Sequence, residues 1–439
     1  MDSGNSTRRR FMLDSAAVVS AASVHAAVAS RSYAAGDETL RVGVVGCGGR
    51  GTGSAVQALT ADANVQIVAL GDVFEDRLEN SLAVLDRHTK TTDAGVKHSD
   101  ELAKRVNVPP EQRFVGFDAY KQVIDLVDVV ILTTPPHFRP EQLAYAVKQG
   151  KHVFAEKPVA TDSAGVRLAL EACKEAKRKN LSVVAGLCWR YHLPRIETMR
   201  QVREEGLIGE PVAIETVYNV GGVWGPRRRP EQVESEMELQ LRNWYYYKWL
   251  SGDHIVEQAV HALDTMGWVM RDEPPVQCWG VGGRQVRTDP QHGDIYDHFS
   301  LVFEYANGTR GYHQCRQWPG ARFNQINDYV FGSKGTCDVW RHNIKGAVDW
   351  QYDGPDKNMY QHEQDELFAS IRSGNPINDG KHMCYSTLLA IMGRMAAYTG
   401  DRITWEMVMN SEQRLGPEKY AWGDAPEVVV AKPGVTKYH

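Results

Sequence analysis

Leu40-Arg41-Val42-Gly43-Val44-Val45-Gly46-Cys47-Gly48-Gly49-Arg50-Gly51 is the stretch that decides the architecture. Its β-branched half reads as a buried strand that opens directly into a glycine-rich turn. The pattern is helical from there through Leu59, and a second buried run, Val65-Gln66-Ile67-Val68-Ala69-Leu70, ends at Gly71-Asp72. Strand, G-x-G-x-x-G, helix, strand and acid follow one another in the order that binds a dinucleotide. Gly46 permits the tight turn, Gly48 lets the backbone approach a pyrophosphate, and Gly51 lets the helix pack closely. Gly49 and Arg50 complete the loop, at a helix start whose free N–H groups and dipole favour an anion. Asp72 is placed to accept from both ribose hydroxyls, and its charge repels a 2′-phosphate. NAD is therefore the expected cofactor in preference to NADP, with Arg50 and Arg77 the side chains that would admit NADP.

Working outward, Val127–Leu132 is another buried run, stopped by Thr133-Thr134-Pro135-Pro136. Residues 140–149 look helical, His152–Ala155 is a strand, 162–179 a helix, and Leu181–Ala185 a strand. Such alternation implies a Rossmann-type, doubly wound parallel sheet. Ligands of these sheets sit at the carboxyl ends of the strands, where Thr134, Pro135, His137, Glu156 and Lys157 fall. After about residue 190 the pattern changes to period two, as in Phe299-Ser300-Leu301-Val302-Phe303-Glu304-Tyr305. Ala306-Asn307-Gly308 is a hairpin signal leading into 309–317, and further strands are expected near 211–219, 276–286, 328–331 and 336–340. Residues 382–399 return to helix. The expected fold class is α/β: a Rossmann domain over 37–190, then an α+β domain over 191–439 with a large, mostly antiparallel sheet and a C-terminal helix.

A chain of 439 residues, 42% hydrophobic and 24% charged, suits two soluble domains. The formal net charge of -5 gives no reason to expect nucleic acid or an anionic membrane as partner. The seven cysteines lack C-x-x-C spacing and read as small buried hydrophobes. Arg227-Arg228-Arg229, between Pro226 and Pro230, reads as a solvated loop. Residues 1–36 stand apart: Thr7-Arg8-Arg9-Arg10-Phe11-Met12-Leu13 precedes an alanine-rich stretch and the small-x-small sites Ala27-Val28-Ala29 and Ser32-Tyr33-Ala34. The segment resembles a twin-arginine export signal, so a periplasmic location is expected, and no later stretch is apolar enough to span a bilayer.

The fingerprint, Thr134-Pro135-Pro136, Glu156-Lys157-Pro158 and His261-x-x-Asp264 together resemble the Gfo/Idh/MocA oxidoreductases, from about residue 40 to 410. The resemblance implies that Lys157 lies beside the nicotinamide and the reacting carbinol, and that His261 serves as acid/base. Where the family commonly has aspartate four residues before that histidine, this chain has Glu257. Leu241-Arg242-Asn243-Trp244, Leu250–Gln258 and Ile295-Tyr296-Asp297-His298-Phe299 are similar to glycoside hydrolase family 109. That branch, described as NAD-retaining α-N-acetylgalactosaminidases, tends to read His-Val-His-Asn where this chain reads Ala259-Val260-His261-Ala262.

These likenesses imply an NAD-dependent oxidoreductase acting on a sugar or glycoside by hydride transfer at a carbinol carbon. A base removes the hydroxyl proton while hydride leaves. Lys157, with a pKa lowered by burial, or His261 could serve. One alternative is a redox-neutral glycosidase: a ketone at C3 acidifies the C2 proton, the C1 group is eliminated, water adds and the retained cofactor reduces the ketone again. That cycle needs a second acid/base, for which Glu257, His254, Tyr296 and His298 are the candidates. Another alternative is a non-catalytic, NAD-binding sensor or scaffold. The candidate substrate contacts are Arg190, Tyr191, Arg242, Trp244, His254 and His261. The aromatic run 244–249 reads equally as a sugar platform, core or interface. Glu257, His254 and His261 have metal-ligand residue types, but no metal is expected. Self-association is expected, to cover an exposed sheet face.

Overall fold

The computed structural model describes residues 38–90 and 103–437; the twin-arginine stretch lies outside them. The first sheet contains β1 (Leu40–Val45), β2 (Val65–Asp72), β3 (Arg113–Val115), β4 (Val129–Leu132), β5 (His152–Ala155) and β6 (Val183–Ala185). Its order is β3-β2-β1-β4-β5-β6 and every pairing is parallel. β4, β5 and β6 are buried at every residue, because helices cover both faces of such a sheet. The register sets the site. Val45 lies opposite Leu132, and Leu132 opposite Ala155, so Gly46, Thr133 and Glu156 emerge side by side at the carboxyl edge.

The second sheet contains β7 (Pro211–Val220), β8 (Gln277–Gly283), β9 (His298–Glu304), β10 (Arg310–Gln317), β11 (Gln325–Gly332), β12 (Gly335–Asp338), β13 (Asn343–Gly346), β14 (Trp350–Gln351) and β15 (Ile403–Thr404). Its order is β14-β13-β12-β11-β7-β10-β9-β8-β15, antiparallel except for the β7–β10 pair. The expected hairpin joins β9 to β10, with Gly308 at φ +86°. Along β10, buried Gly311, His313, Cys315 and Gln317 alternate with more exposed Arg310, Tyr312, Gln314 and Arg316, so one face is covered and one open.

Two features are not a simple continuation of the sequence reading. The helix Met359–Ser373 leaves the second sheet and packs on the fingerprint helix Gly49–Ala61. Residues 377–379 then pair with β6, through Val183 N–H to the Ile377 carbonyl and Asp379 N–H to that of Val183. The division expected at residue 190 thus separates the sheets but not the chain, which returns to the first domain near its end. The helix Gly380–Thr399 lies between the two domains and is buried on nearly all sides, packing on both the helix Ser163–Arg178 and β8. All seven cysteines are free and buried.

Candidate active site

The glycine loop is built as its spacing requires. Gly46 has φ +94°, and a β-carbon there would stand 2.6 Å from the Thr134 nitrogen. A β-carbon on Gly51 would fall on the Gly46 carbonyl, whereas Gly48 and Gly49 face open space. This leaves a backbone cradle at a helix start, the geometry that a pyrophosphate needs. Beyond it runs a cleft of about 810 Å³, its open mouth included, lined among others by Asp72, Arg77, Phe74, Thr134 and Pro135. The Asp72 carboxylate accepts from the backbone N–H groups of Cys47 (2.7 Å) and Phe74 (3.0 Å). Burial raises its pKa, against the pull of those two hydrogen bonds. Cradle, acid and cleft fit a dinucleotide.

A second cluster forms where β5 ends. The Lys157 ammonium donates to the backbone carbonyl of Glu257 at 2.6 Å and reaches its carboxylate at 3.4 Å. One turn on, His261 stacks on Trp189, with centroids 5.1 Å apart. Burial, then the positive charges of Lys157, Arg195 and Arg50, holds the His261 pKa well below its ordinary value. Its Nδ1 is buried without a partner. Lys157, Glu257 and His261 therefore converge: a cation, a carboxylate and a neutral imidazole.

Glu156 lies behind this cluster. It accepts from the Lys157 N–H at 3.0 Å and is ion-paired with Arg50, which also pairs with Glu363 of the helix Met359–Ser373. Burial pushes the Glu363 carboxyl well up. Arg50 is thus turned toward carboxylates and does not line the nucleotide cleft.

The remaining candidate residues have partners within the protein. Arg190 bridges Asp264 and Asp272 at 2.8 and 2.6 Å. The Tyr191 hydroxyl donates to Asp379. Arg242 and Trp244 line the nucleotide cleft, with Arg242 over the Phe74 ring at 3.6 Å and paired with Asp76. Tyr296 is a core residue whose hydroxyl donates to the Ala431 carbonyl, so it is not free for proton transfer. His254 is buried beside Asp253 and Phe299. His298 is half-buried, with Nδ1 2.7 Å from Asp297. His137 meets the Tyr420 hydroxyl at 2.9 Å. Trp189 and Arg195, whose guanidinium lies 3.9 Å from the Trp189 ring centre, were not singled out in the sequence. Trp189 adjoins Arg190 and Tyr191, but nothing in the four-residue helical turn Cys188–Tyr191 tells which side chain faces the crevice. Among the described residues, no group of three or more His, Cys, Asp or Glu side chains is arranged to hold a metal.

Residues 40–185 match the model of the oxidoreductase family with an NAD-binding Rossmann fold, and residues 196–338 match the GFO/IDH/MocA C-terminal domain. The chain belongs to the Gfo/Idh/MocA oxidoreductases. It is similar to 2,7-anhydro-N-acetylneuraminate hydratase of Escherichia coli, 27% identical over 61% of this chain and 66% of that one. A glycosyl hydrolase family 109 protein of Solibacter usitatus is 30% identical over 41% of this chain and 37% of its own length. The matches therefore span less than two thirds of these curated relatives. Among solved structures, the aldose-aldose oxidoreductase of Caulobacter crescentus superposes with a TM-score of 0.62 at 18% identity, covering 84% of this chain and all of that one.

Proposed function

We propose that this protein oxidises a carbinol carbon of a sugar or glycoside, passing hydride to NAD held in the cleft. The observation that carries the reading is the convergence of Lys157, Glu257 and His261 at the strand end beside the fingerprint loop. When bound, NAD supplies the hydride acceptor. His261, kept neutral by its surroundings, takes the hydroxyl proton; the O–H pair becomes the second C–O bond as the C–H pair departs. Lys157 holds a fixed positive charge where negative charge grows on that oxygen. Glu257 orients the ammonium and offers a carboxylate at 3.4 Å for a second proton transfer.

A redox-neutral version of this chemistry is favoured by the names of two relatives, a hydratase and a glycosyl hydrolase, neither of which denotes net oxidation. The twin-arginine stretch supports the same version: an exported enzyme with little free NAD around it needs a cycle that restores its cofactor. The test is to purify the protein from a periplasmic fraction, denature it and identify the nucleotide released. Near-stoichiometric NAD or NADH supports the retained-cofactor cycle, whose second signature is exchange of the substrate C2 hydrogen with solvent deuterium. Ketone accumulation without C–O cleavage would leave a plain dehydrogenase. A chain that neither carries nor takes up NAD would sink the hydride reading altogether.

The open face of the second sheet supports self-association. The registers Trp279–Val302, Val302–Tyr312, Tyr312–Glu215 and Glu215–Tyr329 set one row of side chains across five strands. Val281, two residues along β8, is 68% exposed on the same face. Such a surface favours a covering partner, and a second copy is the simplest. Light scattering should give an oligomer that Tyr312→Asp weakens; a monomeric wild type at micromolar concentration would refute it.

A further inference from the structure

Residues 411–431 contain no helix or strand, yet they cross the first domain and return to the second. Along this path the Leu415 N–H donates to Asp162 at 3.1 Å. The Gly423 carbonyl accepts from Met237 N–H at 3.0 Å, the Pro426 carbonyl from Gln240 at 3.0 Å and the Ala431 carbonyl from the Tyr296 hydroxyl at 3.0 Å. Between the first two anchors stand two aromatic residues. Tyr420 stacks on Phe117 at 5.7 Å and packs on Phe138 at 5.2 Å, with its hydroxyl on His137. Trp422 packs on Phe117 at 5.2 Å and Phe74 at 5.8 Å.

Phe74, Phe117 and Phe138 are walls of the nucleotide cleft. Phe74 is therefore gripped twice, by Trp422 and by the guanidinium of Arg242. Arg242 ends the helix Glu236–Arg242, whose Met237 is tied to the tail at Gly423. The same excursion of the second domain carries Arg227 to the cleft, where Arg77 lies near enough to lower its pKa after burial. The arginine tract is exposed, as its sequence context suggested, and Arg227 also borders the cleft, its guanidinium 4.4 Å from the Trp224 ring centre. Two cations and a pinned aromatic wall face a space suited to a dinucleotide with an anionic pyrophosphate.

We propose that the tail 411–431 is a cofactor-retention strap. It braces the adenosine side of the cleft through Tyr420 and Trp422, and through Met237 it holds the helix that carries Arg242 closed over the same end. A segment held by side-chain pins and a few hydrogen bonds, without secondary structure of its own, opens at lower cost than the sheet beneath it, so strap opening sets the rate at which the dinucleotide leaves. The inference rests on NAD occupying the cleft as proposed above.

The test is the release rate of bound nucleotide from the full-length protein, chased with excess fluorescent etheno-NAD. Trp422→Ala is expected to speed release by roughly tenfold or more, and Arg227→Gln to speed it by a smaller factor. Both should retain the wild-type melting temperature of the nucleotide-free protein to within a few degrees. Hydrogen exchange at the Met237 amide, bonded to Gly423, should slow when NAD binds. Slow release from the wild type that neither variant accelerates, or a Met237 amide indifferent to NAD, overturns the strap while leaving the NAD site intact. A wild type that binds no NAD overturns the site reading and the strap with it.

Discussion

Replacing Lys157 by methionine is expected to lower kcat on a sugar substrate by about 10³-fold while the protein still carries NAD. Methionine keeps the length and the apolar stem but removes the fixed charge beside His261 and the donor to Glu257. If Lys157 stabilises the developing oxyanion, the loss falls on kcat, because that charge exists only in the transition state. Equilibrium binding of NAD, read by intrinsic fluorescence quenching, should change little, since the cradle and Asp72 are untouched. Arginine should restore only part of the rate, since its planar fork does not reproduce a compact ammonium at 2.6 Å from a single carbonyl. A Lys157→Met protein with wild-type kcat would eliminate the proposed role. It would also revive the view that the fold serves as a sensor.

The second large effect concerns stability. Arg190→Leu should destabilise the protein by about 3–5 kcal/mol, the range for a buried ion pair that loses one partner. Arg190 is nearly buried between Asp264, which is fully buried, and Asp272, and it also lies over Trp268 at 5.0 Å. Burial already raises the Asp264 pKa despite Arg190, and removing the guanidinium raises it further. The sign of the pH dependence follows. A carboxyl whose folded pKa lies above its unfolded value binds protons on folding, so its stability deficit shrinks as pH falls toward the unfolded pKa. Urea midpoints should therefore show a larger gap between variant and wild type at pH 7.5 than at pH 5.5, and adding Asp264→Asn should recover part of the loss. An Arg190→Leu protein of unchanged stability but much weakened substrate affinity would return Arg190 to the binding role its position in the sequence suggested.

The strands and the glycine loop were legible because their signals are local. A parallel strand buried on both faces is a continuous apolar run, and a turn that needs φ +94° at Gly46 declares itself in composition. Lys157 and His261 were named only through the resemblance to the Gfo/Idh/MocA oxidoreductases, not through any property visible in a single residue. Helices such as Glu75–Lys90 and Met359–Ser373 were not read, since their polar faces and mixed periodicity give a weak pattern.

What the sequence by itself determined was the order of two folds and the nucleotide fingerprint. Only the tertiary structure decided which charged residues line the cleft and which are paired within the protein. Arg190, Arg242 and Arg50 look alike in a sequence, yet one closes a buried ion pair, one roofs the nucleotide cleft, and one is held between Glu156 and Glu363. The tail decided the rest: Tyr420 and Trp422 stand some three hundred residues from Phe117. Local propensity carries no information about such a meeting. A guanidinium or an indole is assigned its partner by the packing of distant segments, and the free energy of that choice exists only once the chain has folded.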